Sequence, residues 1–173
     1  ISLLFLTITL GGCGEFTGNY EEIETSVSNS TDNNTDTTPP TVSSTSPSDS
    51  DTSISLSSLI SVTFSEAMDT TSVTTNSSGT SCTETLQVSS DNFSSCVQMS
   101  SSPTVSNSNK TFTVTPSSNL SLNTTYKIRV TTGVKDSASN ALSSQWTIST
   151  GFTTESVKFV AVGYSGTILT SSD

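Results

Sequence analysis

Few side chains in this sequence could do chemistry, and their types narrow what that chemistry could be. There are three cysteines, Cys13, Cys82 and Cys96, no histidine, and one loose gathering of oxygen donors, Glu66, Asp69, Asp136 and Asn140. Without an imidazole there is no Ser-His-Asp or Cys-His relay, no His-ligated zinc and no imidazole general base. Glu66 and Asp69 follow one apolar run, and Asp136 and Asn140 follow Val134. Two such loops could together offer calcium the about six to eight oxygens it takes. The same residue types are ordinary turn formers, with Asp69 capping one turn and Asp136 and Asn140 shaping another; this simpler reading stands beside the calcium one. Nothing places two carboxylates across a cleft, as glycoside hydrolysis requires. No catalytic residue, no cofactor and no enzyme activity are therefore expected of this stretch.

The elements that would hold these residues must be built from unusual material. The 173 residues carry 15 acidic against 5 basic groups, a net charge of -10. Serine and threonine make up roughly two-fifths of the chain, far above ordinary usage. The five basic residues, Lys110, Lys127, Arg129, Lys135 and Lys158, all lie in the second half. Such a balance gives no basic footprint for displacing phosphate counterions, so nucleic acid is excluded as a partner. Leu, Ile, Val and Phe together reach roughly 23%, just above the level at which disorder becomes the default, so their distribution decides the matter.

Residues 1–12 are apolar apart from Ser2 and the two threonines Thr7 and Thr9, and carry no charge. They are too short to cross a bilayer, which takes about 20 apolar residues, and read as the hydrophobic region of a secretory signal. No Met and no basic residue precedes Ile1, so the signal is expected to be truncated at its N-terminus. The run ends in Leu10-Gly11-Gly12-Cys13, which resembles the lipobox of bacterial lipoproteins. The resemblance implies cleavage before Cys13, diacylglycerol on its thiol, and membrane attachment through that lipid, two or more acyl chains being needed for a stable anchor. Gly14 stands where Asp would signal retention at the inner membrane, so the expected location is the cell envelope, at the outer membrane or cell surface.

Residues 13–38 hold six acidic and no basic residues and few apolar ones, and are expected to form a disordered, charge-stiffened tether. Beyond Pro39-Pro40, apolar and small polar residues alternate with the period of a half-buried strand. Ile60, Val62 and Phe64 do so, as do Phe112 and Val114, then Tyr126, Ile128 and Val130, and Trp146, Ile148, Thr150 and Phe152. Leu86 with Val88 and Val97 with Met99 are shorter candidates. No segment offers a helical stripe over three turns. The fold class expected is all-β, an antiparallel sandwich of about seven strands with hydroxyls on its outer faces.

Several phrases resemble the SbsA-type bacterial Ig-like domain. They are Pro39-Pro40-Thr41-Val42 to Ser46-Pro47, Ile60 to Asp69, Ser72-Val73-Thr74, Phe112 to Pro116, Leu122 to Tyr126, Gly133 to Asp136, Asn140-Ala141-Leu142, and Trp146 to Thr154. The resemblance covers residues 39–154 and implies an Ig-like sandwich. Such modules serve as spacers or interaction units, whose partner could be a protein or a carbohydrate. The sequence departs from the family's pattern between Gly79 and Ser102, where Cys82 and Cys96 lie. With Cys13 lipidated, these two are an even pair in an oxidising compartment, expected as a disulfide, with two free thiols as the alternative. Metal binding would need further Cys or His.

From Val157 to Asp173 two apolar runs flank a Gly-x-x-Gly turn, as in a hairpin. The phrase resembles the first blade of sialidase-like or photosystem II assembly-factor-like propellers, and implies that residues 155–173 begin a further, truncated β domain. The expected role is a non-catalytic lipoprotein module presenting that domain. The alternatives are the accessory domain of a surface-anchored, sialidase-like carbohydrate-active enzyme and a calcium-dependent adhesive module.

Overall fold

The computed structural model describes residues 35–162 and 168–172, with side chains as far as residue 157. The apolar run 1–12, Cys13, most of the acidic segment 13–38 and the Gly-x-x-Gly turn of the tail lie outside the described residues. The described chain is all-β. Its strands are β1 (Val42–Ser46), β2 (Ile60–Phe64), β3 (Leu86–Ser89), β4 (Thr104–Ser106), β5 (Thr111–Val114), β6 (Thr125–Val130), β7 (Trp146–Thr147) and β8 (Phe152–Thr153), followed by β9 (Lys158–Val162) and β10 (Ile168–Ser172).

The first eight strands form two antiparallel sheets. One runs β1-β2-β5-β4; the other runs β3-β6-β7, with β8 pairing the first half of β6. Alternation places Ile60, Val62 and Phe64 of β2 and Phe112 and Val114 of β5 inward, opposite Leu86, Val88, Tyr126, Ile128 and Val130 of the other sheet. Phe64 and Phe112 meet edge to face at 5.8 Å, a favoured aromatic geometry. The outward residues explain the hydroxyl content. Thr63 and Thr111 are cross-strand neighbours whose hydroxyls meet at 3.0 Å, and Thr125 and Thr153 repeat the pairing at 2.8 Å. Such pairs stabilise an exposed pleat without apolar side chains.

Two strand expectations are corrected. The run Trp146–Phe152 is not one strand: it divides into β7 and β8 around Gly151, whose φ is +98. The Asp49 carboxylate causes the break by accepting the N–H groups of both Thr150 and Gly151 at 2.8 Å. Val97 and Met99 do not form a regular strand. Val97 donates its N–H to Val88 at 2.8 Å, and Met99, fully buried, makes a single bridge to Pro116.

The segment that departs from the family's pattern folds over the outer face of β3. Cys82 and Cys96 are joined in a disulfide with their Cα atoms 5.2 Å apart. All four residues of β3 are buried, including the outward Gln87 and Ser89. Gln87 Nε2 donates to the carbonyl of Cys82, its Oε1 accepts from Arg129 Nε at 2.6 Å, and the Arg129 guanidinium lies 3.8 Å from the Phe93 ring centre. The buried amide is thus satisfied on both sides, as burial of a polar group demands.

β9 and β10 pair antiparallel from Lys158↔Ser172 to Val162↔Ile168, the hairpin expected of the tail.

Candidate functional site

The chain comes into the sandwich beside the loop after β2 and the loop between β6 and β7. Ser65 N–H donates to the Thr41 carbonyl at 2.9 Å, and Thr41 N–H to the Ser65 hydroxyl at 3.0 Å. This pins residues 35–41 over Glu66. On the neighbouring loop, Met68 bridges Asp136 and Ser137 N–H donates to the Ala67 carbonyl. Three carboxylates converge here, with an oxygen each from Asp36, Glu66 and Asp136 within 4.8 Å of one another.

Asp136 is fully buried. Its Oδ1 accepts the N–H groups of Ala138 and Asn140, and its Oδ2 accepts Asn140 Nδ2, each at 2.8 Å. Burial opposes ionisation, but the bonds from Asn140, from the two backbone N–H groups and from the Glu66 carboxyl outweigh it and hold Asp136 below the ordinary carboxylate range. Glu66 is displaced the other way. Burial, and then the neighbouring Asp36 and Asp136 carboxylates, raise it above its ordinary value. The trio therefore pairs one anchored carboxylate, Asp136, with a second carboxyl, Glu66, that ionises less readily than an ordinary glutamate.

Of the four sequence candidates, the structure brings Glu66, Asp136 and Asn140 together and leaves Asp69 apart. Asp69 accepts the N–H and hydroxyl of Thr71 at 2.9 and 2.7 Å, which lowers its pKa and caps the turn after β2. Asn140 presents Nδ2, not oxygen, to Asp136 Oδ2 and to the Asp36 carbonyl at 3.0 Å. A donor in that position occupies oxygens a cation would need, so the arrangement as it stands shapes a loop and ties down residues 35–41. Asp36 was not among the sequence candidates, because it sits in an acidic stretch with no local pattern and its partner Asn140 is 104 residues away.

At the opposite end, Tyr126 Oη accepts Ser121 N–H at 2.9 Å, and the Tyr126 ring stacks on Phe152 at 5.8 Å. This is the tyrosine corner of Ig-like sandwiches in a local variant. Thr154, almost fully buried, donates its hydroxyl to the Ser121 carbonyl at 2.6 Å and accepts Thr124 N–H at 3.0 Å. Glu155 is tied to Ile54 and Asn123 through backbone bonds. The chain thus leaves the sandwich at the start of β6, whereas it comes in near the strand's end, where Val130 pairs with Trp146. Among the described residues no helix is long and apolar enough to cross a membrane.

No curated protein matches the chain. Among solved structures, surface layer protein SbsC, domains 1-6, is similar at 22% identity and a TM-score of 0.47 over 73% of this chain, which spans 15% of that protein. The N-terminal part of the bacterial S-layer protein SbsC is similar at 21% identity and a TM-score of 0.46, with 73% of this chain and 26% of that one covered. Residues 36–154, which include Asp36 and end at the Thr154 anchor, match a protein family, and the chain belongs to that family, the bacterial Ig-like domain.

Proposed function

We propose that this chain is a non-catalytic module of a cell-envelope lipoprotein, a spacer that carries a following domain away from the membrane. The observation that carries this reading is the placement of the two chain crossings. Thr41 is bonded at one end of the sandwich and Glu155 at the other, with the length of β6 between them. Its six residues, at about 3.4 Å each, separate the crossings by about 20 Å. A module threaded end to end adds its length to whatever it links, whereas one with both crossings at the same end would not. Leu59, Leu122 and Val157, three of the four exposed large apolar side chains among the described residues, belong to segments next to the outgoing end. A following domain would cover them. Cys13 is the proposed lipid anchor, and outer membrane or cell surface the proposed location.

The test is metabolic labelling with a fatty acid in the host cell. The parent chain should take up label and fractionate with the envelope, and Cys13→Ala should do neither; label retained in the variant would overturn the anchor. For the spacer, doubling the Ig-like segment in tandem should increase the exposure of a C-terminal tag to externally added protease. Unchanged cleavage would count against it.

A second reading, an accessory domain of a surface-anchored carbohydrate-active enzyme, is favoured by the β9–β10 hairpin and its five-pair register. It requires the coding sequence after Asp173 to repeat the Phe159 to Asp173 phrase several times. A different continuation removes it.

A further inference from the structure

The sandwich ends on a tied residue. Ile54 and Thr154 form a parallel bridge, and Glu155 after it is held through backbone and side chain. Its N–H donates to the Ile54 carbonyl at 2.8 Å, its carbonyl accepts Asn123 N–H at 2.9 Å, and its carboxylate accepts Leu56 N–H at 3.4 Å. Only Ser156 and Val157 separate it from Lys158, where β9 begins. Three Cα steps span at most about 11 Å, so whatever β9 belongs to starts against the outgoing end of the sandwich.

Uncovered apolar side chains gather at that end. Leu59 is 53% exposed, Leu122 44% and Val157 42%. Their neighbours' bonds place them around the exit: Asn123, beside Leu122, is bonded to Glu155, and Leu56, shortly before Leu59, is bonded to Glu155 and to Leu120. The other exposed large apolar side chain among the described residues, Val105, belongs to the edge strand β4. Exposed apolar residues scattered singly need no partner, whereas a group of them set around the point where the chain goes on does. β9 and β10 are equally incomplete. Among the described strands they pair only with each other, and a two-stranded hairpin is at best marginally stable in water.

We propose that the outgoing end is a docking face for the domain that β9 and β10 open, and that sandwich and domain are locked into one rigid body. The proposal rests on the spacer reading, in which such a domain follows, and adds that the joint between them does not bend. Chain continuity sets the occupant. The first strand of that domain stands within about 11 Å of Glu155, closer than an independent partner could come without displacing it. A hinge works through a few residues free to change their backbone angles. Here two residues lie between the tie and β9, neither of them glycine, and one of the two, Val157, is part of the face itself. A rigid joint fixes not only how far the domain is held from the tether but which way it points.

The full-length parent protein, carrying Cys13→Ser so that it takes no lipid, is isotope-labelled, and amide relaxation reads the rotational correlation times of the sandwich and of the following domain. In the parent the two values should agree within about a tenth. An insertion of about five Gly/Ser residues between Val157 and Lys158 lengthens the joint and keeps the face, so the values should still agree. Combined with Leu59→Ser and Leu122→Ser, the same insertion should separate them, with the sandwich tumbling at least about 1.5-fold faster. Both leucines are exposed, so the sandwich's amide shifts away from the exit should not change. Separate values in a parent whose second domain is folded, separation by the insertion alone, or agreement in the combined variant each overturn the docking face and leave the spacer reading standing. Association between copies that is lost on Leu59→Ser and Leu122→Ser, with the two correlation times unchanged, would give the face to a second copy and overturns it too. If no folded domain follows Asp173, the spacer reading falls together with this inference.

Discussion

Glu66→Gln tests whether the carboxylate trio is a structural knot or a metal centre, because the two readings give it opposite signs. In the folded chain Glu66 is held above its ordinary pKa by burial and by Asp36 and Asp136. A carboxyl whose folded pKa is raised contributes stability that is fully present below its unfolded pKa and is lost as pH rises through the folded value. At pH 7 parent Glu66 is therefore a net cost, whereas glutamine matches the protonated acid in shape and donates an N–H to a neighbouring carboxylate without ionising. Replacing carboxylate repulsion by one such bond should stabilise the module by about 1 to 2 kcal/mol at pH 7. For a module of this size the melting temperature should rise by roughly 3 to 8 °C. Near pH 3.5 both side chains are neutral in the folded and unfolded states, and the difference should shrink towards zero. Urea denaturation followed through Trp146, the single tryptophan, reads the change directly in the presence of a chelator. Adding about 5 mM calcium should leave the parent's midpoint unchanged. The reasoning fails if the variant is less stable than the parent at pH 7, if the gain is independent of pH, or if calcium stabilises the parent and not the variant. The last outcome would make the trio a calcium site.

Three other perturbations have expected sizes. Reducing the Cys82–Cys96 bond, or replacing both residues by serine, frees a 14-residue separation and should cost about 3 kcal/mol of unfolding free energy measured in urea; a loss below about 1 kcal/mol would mean that the segment is held by its hydrogen bonds alone. Gly151→Ala places a Cβ at φ +98 against the Tyr126 carbonyl, so it should cost about 2 kcal/mol or more, and a neutral melting temperature would contradict the described backbone there. Tyr126→Phe leaves Ser121 N–H without its acceptor and should cost about 1 to 3 kcal/mol with the β6 amide shifts little changed, whereas no loss in thermal melts would show that water replaces the hydroxyl.

The sandwich was legible wherever one face of a strand is apolar, because a period of two over β2, β5 and β6 admits no other half-buried element. β1 and β4 carry no such signal. In VSSTS only Val42 is apolar and packs on the core, and β4 is exposed throughout, so both are held by register with a neighbour and not by their own pattern. The division of β7 from β8 was hidden for another reason. It depends on Asp49, about a hundred residues upstream, and no local reading connects that carboxylate with Thr150. At the trio, Glu66, Asp136 and Asn140 were found from residue type and loop position. Asp69 was grouped with them because sequence proximity to Glu66 cannot tell a side chain turned to its own loop from one turned to the next. The burial of Thr75 and Asn76 gave no signal, since Thr74-Thr75-Asn76-Ser77-Ser78 looks like any other hydroxyl run in a chain full of them.

Ordinary members of a sandwich family need alternation, turns and a corner tyrosine, and this chain meets each demand with residues in the expected places. Left-handed backbone is spread over its turns, at Ser50, Ser53, Asn107 to Asn109, Asn123 and Ser139, and mostly at small polar residues that tolerate it. Phe93, bulky and at φ +64, sits in a backbone region that such residues avoid, and its ring covers Arg129. Thr75 and Asn76 bury unpaired polar atoms against the same disulfide-bridged stretch. At the trio the buried polar group is instead fully bonded: Asp136 takes three donors from a loop that turns through Ser139 at φ +75, so the left-handed residue there serves to bring the Asn140 N–H and amide onto the carboxylate.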